Sequence, residues 1–189
     1  PLIGFSQCPN TDIVLSSQAE VDAFATNYPG CTGINNILTI NGADITDLSS
    51  LSSLTFISTL IIQNTSITNF SGLDNITSIT EFDIINNNSL INFSGLGNLG
   101  NSSERLRVID NSNLQSLSGL NNLSFVNDFG IENNPNLLDL SGLENLNSFG
   151  HLNLINNNAI ISIAALNNVA NEAGGVYIDN NDSLGSING

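Results

Sequence analysis

Apolar and polar positions along this chain alternate in short bursts that recur at a nearly fixed interval. From about residue 38 onward a core reading apolar-x-apolar-x-[Asn/Asp]-Asn returns again and again. Its first apolar residue is Leu38, Leu60, Phe82, Leu106, Phe129, Leu152 and Val176, at steps of 22, 22, 24, 23, 23 and 24 residues. A second landmark, Ser-Gly-Leu at 71–73, 94–96, 118–120 and 141–143, keeps the same step. Two landmarks in phase mark a repeat architecture, in which each unit stacks on its neighbours and a continuous core forms without long-range pairing.

The period of two within the core predicts a strand whose apolar pair points inward and whose intervening residues point outward. Continuing that alternation places Asn64, Asn86, Asp110, Asn133, Asn156 and Asn180 in the next inward slot, with Gly42 in the first copy. There their side chains would satisfy backbone groups of the turn and bond to one another, so these six are assigned structural roles. The column behind them, Asn87, Asn111, Asn134, Asn157 and Asn181, suits a left-handed backbone position, which Asn tolerates better than most residues. Inward apolar residues such as Leu90 and Leu114, then Phe93 and Leu117, lead to the Ser-Gly-Leu corner. On the return side Leu73, Ile76 and Ile79 run i, i+3, i+6, as do Leu120, Leu123, Val126 and Leu143, Leu146, Phe149. That spacing is nearer three residues per turn than 3.6 and predicts short 3₁₀ or extended segments rather than α-helices. The expected fold is an α/β-type repeat solenoid, mostly β. It is a right-handed coil with one parallel sheet, about seven turns of 22–24 residues and a rise of about 4.8 Å per turn.

Residues 1–36 fall outside the repeat. Ser17-Gln-Ala-Glu20 fits a capping box, with the Ser hydroxyl taking an N–H of the first turn and Glu20 reaching back to the Ser17 backbone. Ala19, Val21, Ala23 and Phe24 then continue a short helix that Tyr28-Pro29-Gly30 ends. A repeat array has to cover the apolar end of its first turn, so 1–36 reads as an N-terminal helical cap and 37–189 as the solenoid. Cys8 and Cys31 flank the helix. They are read either as a disulfide stapling the cap or as two free buried thiols, and the disulfide would imply an oxidising, extracytoplasmic location. Gly189 occupies the glycine slot of the Ser-Gly-Leu corner, so the array is expected to stop inside its last repeat and to belong to a longer chain.

Charge narrows the list of partners. Only Arg105 and Arg107 are basic, against 17 acidic residues, for a net charge of −15. Such a chain disfavours phosphate backbones and anionic membranes, so nucleic acid is not an expected partner. No apolar run approaches the roughly 20 residues of a membrane span, so direct membrane insertion is not expected either.

A strand with leucine and a corner asparagine every 22–24 residues resembles the leucine-rich repeat family. Cys31-Thr-Gly-Ile-Asn-Asn-Ile-Leu-Thr-Ile40 followed by Asp44-Ile-Thr-Asp-Leu-Ser-Ser-Leu-Ser-Ser-Leu54 is similar, more specifically, to receptor L domains. These occur in the ligand-binding lobes of insulin- and EGF-type receptors, in fungal wall proteins and in bacterial surface proteins, notably of Bacteroidetes. The regular Ser-Gly-Leu and Asn-Asn repeats look most like the bacterial group. The resemblance implies a helix and a cysteine capping the first strand, a cell-surface setting, and binding of varied partners through variable outward residues. It carries over no fixed site residues.

The outward strand positions are therefore where function is expected. One column reads Ile37, Thr59, Glu81, Arg105, Asp128, His151, Gly175; the next Thr39, Ile61, Asp83, Arg107, Gly130, Asn153, Tyr177; the third Asn41, Gln63, Ile85, Ile109, Glu132, Ile155, Asp179. Candidate ligand-binding residues are Glu81, Asp83, Arg105, Arg107, Asp128, His151, Asn153 and Tyr177, bordered by the outward Ile85, Ile109 and Ile155. The same charges also fit a cross-strand ladder that only holds the sheet face together. No catalytic residues are assigned. There is one His and no nucleophile-elbow, zincin or phosphate-loop motif, and the arginines would hold Glu81 and Asp83 ionised, which spoils an acid role. Asp179-x-Asn181-x-Ser183-x-Gly185 alternates oxygen ligands as a calcium loop does, but it coincides with the ordinary repeat corner, so no metal or cofactor is assigned. The expected function is a non-catalytic extracellular recognition or adhesion module for a protein or glycan. The alternatives are a structural spacer or stalk and, against the mixed outward columns, an ice-binding solenoid, which needs flat Thr-rich ones.

Overall fold

The alternating cores form strands, and the strands stack in chain order. The computed structural model describes residues 8–100 and 104–185. Its strands are β1 (Ile13–Leu15), β2 (Gly33–Asn41), β3 (Phe56–Gln63), β4 (Ser78–Ile85), β5 (Arg105–Ile109), β6 (Phe125–Glu132), β7 (Ser148–Ile155) and β8 (Asn171–Asp179). They make one all-parallel sheet in the order β1 to β8, a mostly β solenoid of about seven turns. Register follows the repeat: Leu38, Leu60, Phe82, Leu106, Phe129, Leu152 and Val176 are successive partners across the sheet. All three outward columns align as expected.

Apolar columns fill the interior. Ile40, Ile62, Ile84, Val108, Ile131 and Leu154 are fully buried, and so are Leu90, Leu114, Leu137 and Ile160 beyond the corner. Phe70 fits among them, its ring 5.0 Å from Phe93 and 5.8 Å from Phe82. Ile79, Val126 and Phe149, expected on the return side, instead lie near the start of β4, β6 and β7 with their side chains inward. Inward positions three apart continue into the strand, so spacing alone did not mark where the return side ends. Among the described residues the return side holds short 3₁₀ turns at Ser49–Leu51 and Ala164–Leu166 and otherwise plain turns, with no α-helix.

The two corner columns exchange the places expected of them. Asn64, Asn86, Asp110, Asn133, Asn156 and Asn180 are the residues with left-handed backbone, φ 51 to 59°. They lie on the surface, where Asn86 Nδ2 donates to Asn64 Oδ1, Asn133 to Asp110 and Asn156 to Asn133. The buried amides are Asn87, Asn111, Asn134 and Asn157, with Thr65 in the same slot one turn earlier. The reason is local: a positive φ breaks the period of two, so the residue after the left-handed one turns inward. Asn134 shows what the buried amide does. Its Nδ2 donates to Glu132 O in its own turn at 3.0 Å and to Val108 O in the preceding turn at 2.9 Å, while its Oδ1 accepts Asn111 N–H at 3.1 Å. Asn87, Asn111, Asn157 and Asn181 repeat the arrangement.

A third amide column went unrecognised in the sequence. On the return side Asn75, Asn98, Asn122, Asn145 and Asn168 each donate from Nδ2 to a carbonyl of the preceding turn. Its signal is a constant Leu-x-Asn at the corner, from Leu73-Asp-Asn75 to Leu166-Asn-Asn168.

The N-terminal segment contributes more than helix. α1 (Gln18–Asp22) and α2 (Phe24–Asn27) bury Val21 and Phe24. Before them β1, which carries no repeat motif, pairs with β2 through Ile13, Val14 and Leu15. Ser17 Oγ accepts Glu20 N–H as expected, but Glu20 Oε2 accepts the N–H of Ser16 rather than of Ser17. Gly42 is needed because a side chain there would meet the Ser16 carbonyl at 2.5 Å. Cys8 and Cys31 form the disulfide.

Two outcomes are expected in denaturant unfolding. Asn134→Ala removes an amide that joins three backbone groups and lowers stability by about 2–4 kcal/mol, whereas Asn133→Gly, which keeps the left-handed backbone and removes only an outward amide, costs under about 1 kcal/mol. Replacing both cysteines by alanine removes a closed loop with a sequence separation of 23, and costs about 3 kcal/mol.

Candidate functional site

The outward face is built by strand alternation, which sends Arg105 and Arg107 of β5 to the same side. Register sets Glu81 and Asp83 of β4 opposite them, and Asp128 and Gly130 of β6 on the other flank. From there the two arms run to His151 and Gly175, and to Asn153 and Tyr177, on β7 and β8. All eight candidate residues thus share one face.

They do not form one uniform ladder, because both guanidinium groups converge on Asp83. Arg105 donates through Nε to Oδ1 and through Nη2 to Oδ2, each at 3.1 Å. Arg107 does the same at 2.9 and 2.6 Å. Arg105 Nη2 also reaches Glu81 Oε2 at 2.8 Å. Covered by the two arginines, the Asp83 side chain is only 4% exposed although it points away from the core. Burial pushes the Asp83 carboxyl up, but hydrogen bonds from Arg107 and Arg105, and the charges of both, outweigh it and leave the group below the ordinary carboxylate range. Arg107 is raised, chiefly by its hydrogen bond to Asp83. Partial burial opposes this, and the charges of Asp83, Asp128 and Glu132 add to it.

The remaining candidates are differently placed. Asp128 and His151 are exposed neighbours in one column, and Asn153 and Tyr177 are neighbours in the next, with Tyr177 56% exposed. Among the described residues none of these four joins an ion pair. Two glycines shape the space around them. A side chain at Gly174 would run into the His151 ring, and the Arg107 stem lies 3.7 Å from where a Gly130 side chain would begin. Ile85, Ile109 and Ile155 line the border half-buried, with Glu132 between the last two. Glu132 acts on Arg107 through its charge and was not among the expected site residues. Its place one step along β6 from Gly130 was the available signal.

The face therefore divides. Glu81, Asp83, Arg105 and Arg107 form a clamp in which Nε and Nη2 of both arginines are engaged with the carboxylates. Asp128, His151, Asn153 and Tyr177 form an open stretch across β6 to β8, about 10 Å wide. Asn181, in the stretch resembling a calcium loop, accepts Asn157 N–H through Oδ1 and belongs to the corner. Among the described residues no cluster of three or more His, Cys, Asp or Glu is placed to hold a metal ion. Nor does any described helix have the length and apolarity to cross a membrane.

Compared with known proteins, the chain matches no family model, no curated protein and no solved structure.

Asp83→Asn should cost about 1–3 kcal/mol near neutral pH, a range discounted from a fully buried pair because the arginines are partly exposed. Since Asp83 titrates below its ordinary value of 3.8 when folded, its contribution is complete above that pH and is lost as pH falls through the folded value. Unfolding curves of the two proteins should stay separated at neutral pH and converge below about pH 3.8.

Proposed function

We propose that this chain is a non-catalytic, extracellular recognition or adhesion module, and that it binds a protein or glycan on the outward face of its sheet. In this reading the coil is a right-handed leucine-rich-repeat solenoid of the receptor L-domain type, and β1, α1 and α2 cap its first turn. The observation that carries it is the open stretch of Asp128, His151, Asn153 and Tyr177. Inward and corner positions are occupied by the fold and the clamp is occupied by itself, whereas these four combine a carboxylate, an imidazole, an amide and a phenol without a structural task. An exposed Tyr beside polar groups can stack on a sugar ring or anchor a protein contact. With both arginines engaged and a net charge of −15, the surrounding field favours a neutral or basic partner over phosphate or sulfate. The Cys8–Cys31 bond suits an oxidising compartment.

A second reading, a rigid spacer in a larger surface protein, draws on the clamp. Asp83 satisfied by two arginines is what a face built only to hold its strands together would contain.

A glycan and surface-protein array probed with the purified domain separates the two. The recognition module predicts reproducible binding that His151→Ala/Tyr177→Ala weakens at least tenfold, with the unfolding midpoint unchanged because both side chains are exposed. Binding that ignores the double variant would move the site elsewhere, and silence across the array would favour the spacer.

A further inference from the structure

One corner of the coil stands off from the turn before it. At the Ser-Gly-Leu corners the glycine lies against the preceding turn, and a side chain at Gly142 would meet the Leu117 carbonyl at 2.3 Å. One turn on, Ala165 holds that slot. Its methyl group cannot come so close, so the chain curls into the 3₁₀ turn Ala164–Leu166 and leaves a cleft of about 280 Å³. Ser49–Leu51, a corner that also lacks glycine, curls in the same way. Asp139, Ser141 and Glu144 form one wall of the cleft, Ser162 and Ala165 the other. Both walls are described turns, so a unit stacked beyond β8 would not fill the space between them.

The cleft is acidic, and backbone donors hold its carboxylates in place. Asp139 Oδ1 accepts Ser141 N–H at 2.8 Å, and Glu144 Oε2 accepts Gly142 N–H at 2.9 Å. Among the described residues neither joins an ion pair. This chain has no cation to spare for them, because both of its arginines are held at Asp83 and it has no lysine.

Beside the cleft the coil presents aliphatic side chains to water. One place before Asp139 and Ser162 stand Leu138 and Ile161, 53% and 66% exposed. They are side by side, since Ile161 N–H donates to Leu138 O at 3.0 Å. Their column runs Thr68, Ile91, Gln115, Leu138, Ile161, each N–H donating to the residue before it. Thr and Gln fit the same slot, so the fold does not require aliphatic residues there.

We propose that this side of the coil docks an extended segment of a partner protein, whose lysine enters the cleft while apolar residues flanking it cover Leu138 and Ile161. Alternate residues of an extended segment face the same way about 7 Å apart, which lets one segment do both. The ammonium meets Asp139 and Glu144 in charge-assisted hydrogen bonds. A free metal ion or polyamine would use the carboxylates alone and leave the apolar pair bare, and a second copy of this chain brings no lysine. The surface is separate from the outward face of the sheet and does not rest on the function proposed for that face.

The probe is the labelled peptide Ser-Leu-Ser-Lys-Ser-Leu-Ser, followed by fluorescence anisotropy and by amide shifts at Asp139, Ser141, Ser162 and Ala165. The expected result is saturable binding that moves these amides. Affinity should fall at least tenfold when the peptide's Lys becomes Gln, or when both of its Leu become Ser. Two protein variants should do the same with the unfolding midpoint in place. Asp139→Asn/Glu144→Gln keeps the acceptors for the backbone and removes both charges, and Leu138→Gln/Ile161→Thr uses residue types the column already holds. Asp22→Asn/Asp182→Asn, an equal change of charge at exposed positions elsewhere, should leave affinity within about twofold. Absence of saturable binding up to about 1 mM peptide overturns the proposal. An equal loss in Asp22→Asn/Asp182→Asn does so too, since net charge alone then attracts the peptide, and so does undiminished binding of the Leu→Ser peptide, which leaves a cation site only.

Discussion

The buried asparagine at the corner is the interaction on which the coil depends. A parallel strand that stops and turns leaves N–H and C=O groups pointing into a space lined by aliphatic side chains. Leaving each unpaired would cost about 1–3 kcal/mol. One amide per turn removes the problem, since its Nδ2 serves two carbonyls and its Oδ1 one N–H. Because those partners lie in two different turns, the same group that satisfies the corner also sets the register of one turn on the next. The apolar columns add most of the favourable burial, but they would tolerate a slide that the amide does not.

Much of this was legible in the sequence because it is periodic. The positions of strands β2 to β8, their partners and the membership of all three outward columns follow from counting residues between landmarks. What failed did so where a period stopped. The alternation was carried past the left-handed residue, which reset it, and so the surface and buried asparagines were exchanged. β1 was missed because Ile13-Val-Leu15 has no landmark, and it became a strand only because β2 offered an edge to pair with.

The candidate face shows a different boundary. Register told which charges are neighbours, yet not that two guanidinium groups would both turn toward Asp83 and leave Asp128 without an ion pair among the described residues. Side-chain direction depends on how many donors each carboxylate can gather, and Asp83 opposite Arg107 gathers four. That choice separates a rigid half of the face from one whose polar groups remain available to another molecule.

The return-side column, where each asparagine hangs from a carbonyl one turn back, has a consequence for how such a molecule can change over generations. Together with the corner amides it makes each turn that carries both, from β4 to β7, a module that asks the same things of whatever lies above and below. Duplicating or deleting one unit of 22–24 residues leaves those demands unaltered, whereas inserting a few residues inside a unit shifts its amides away from their carbonyls. Whole-unit gain and loss is therefore the mutational route that the architecture forgives, and the outward columns grow or shrink with it, one row at a time.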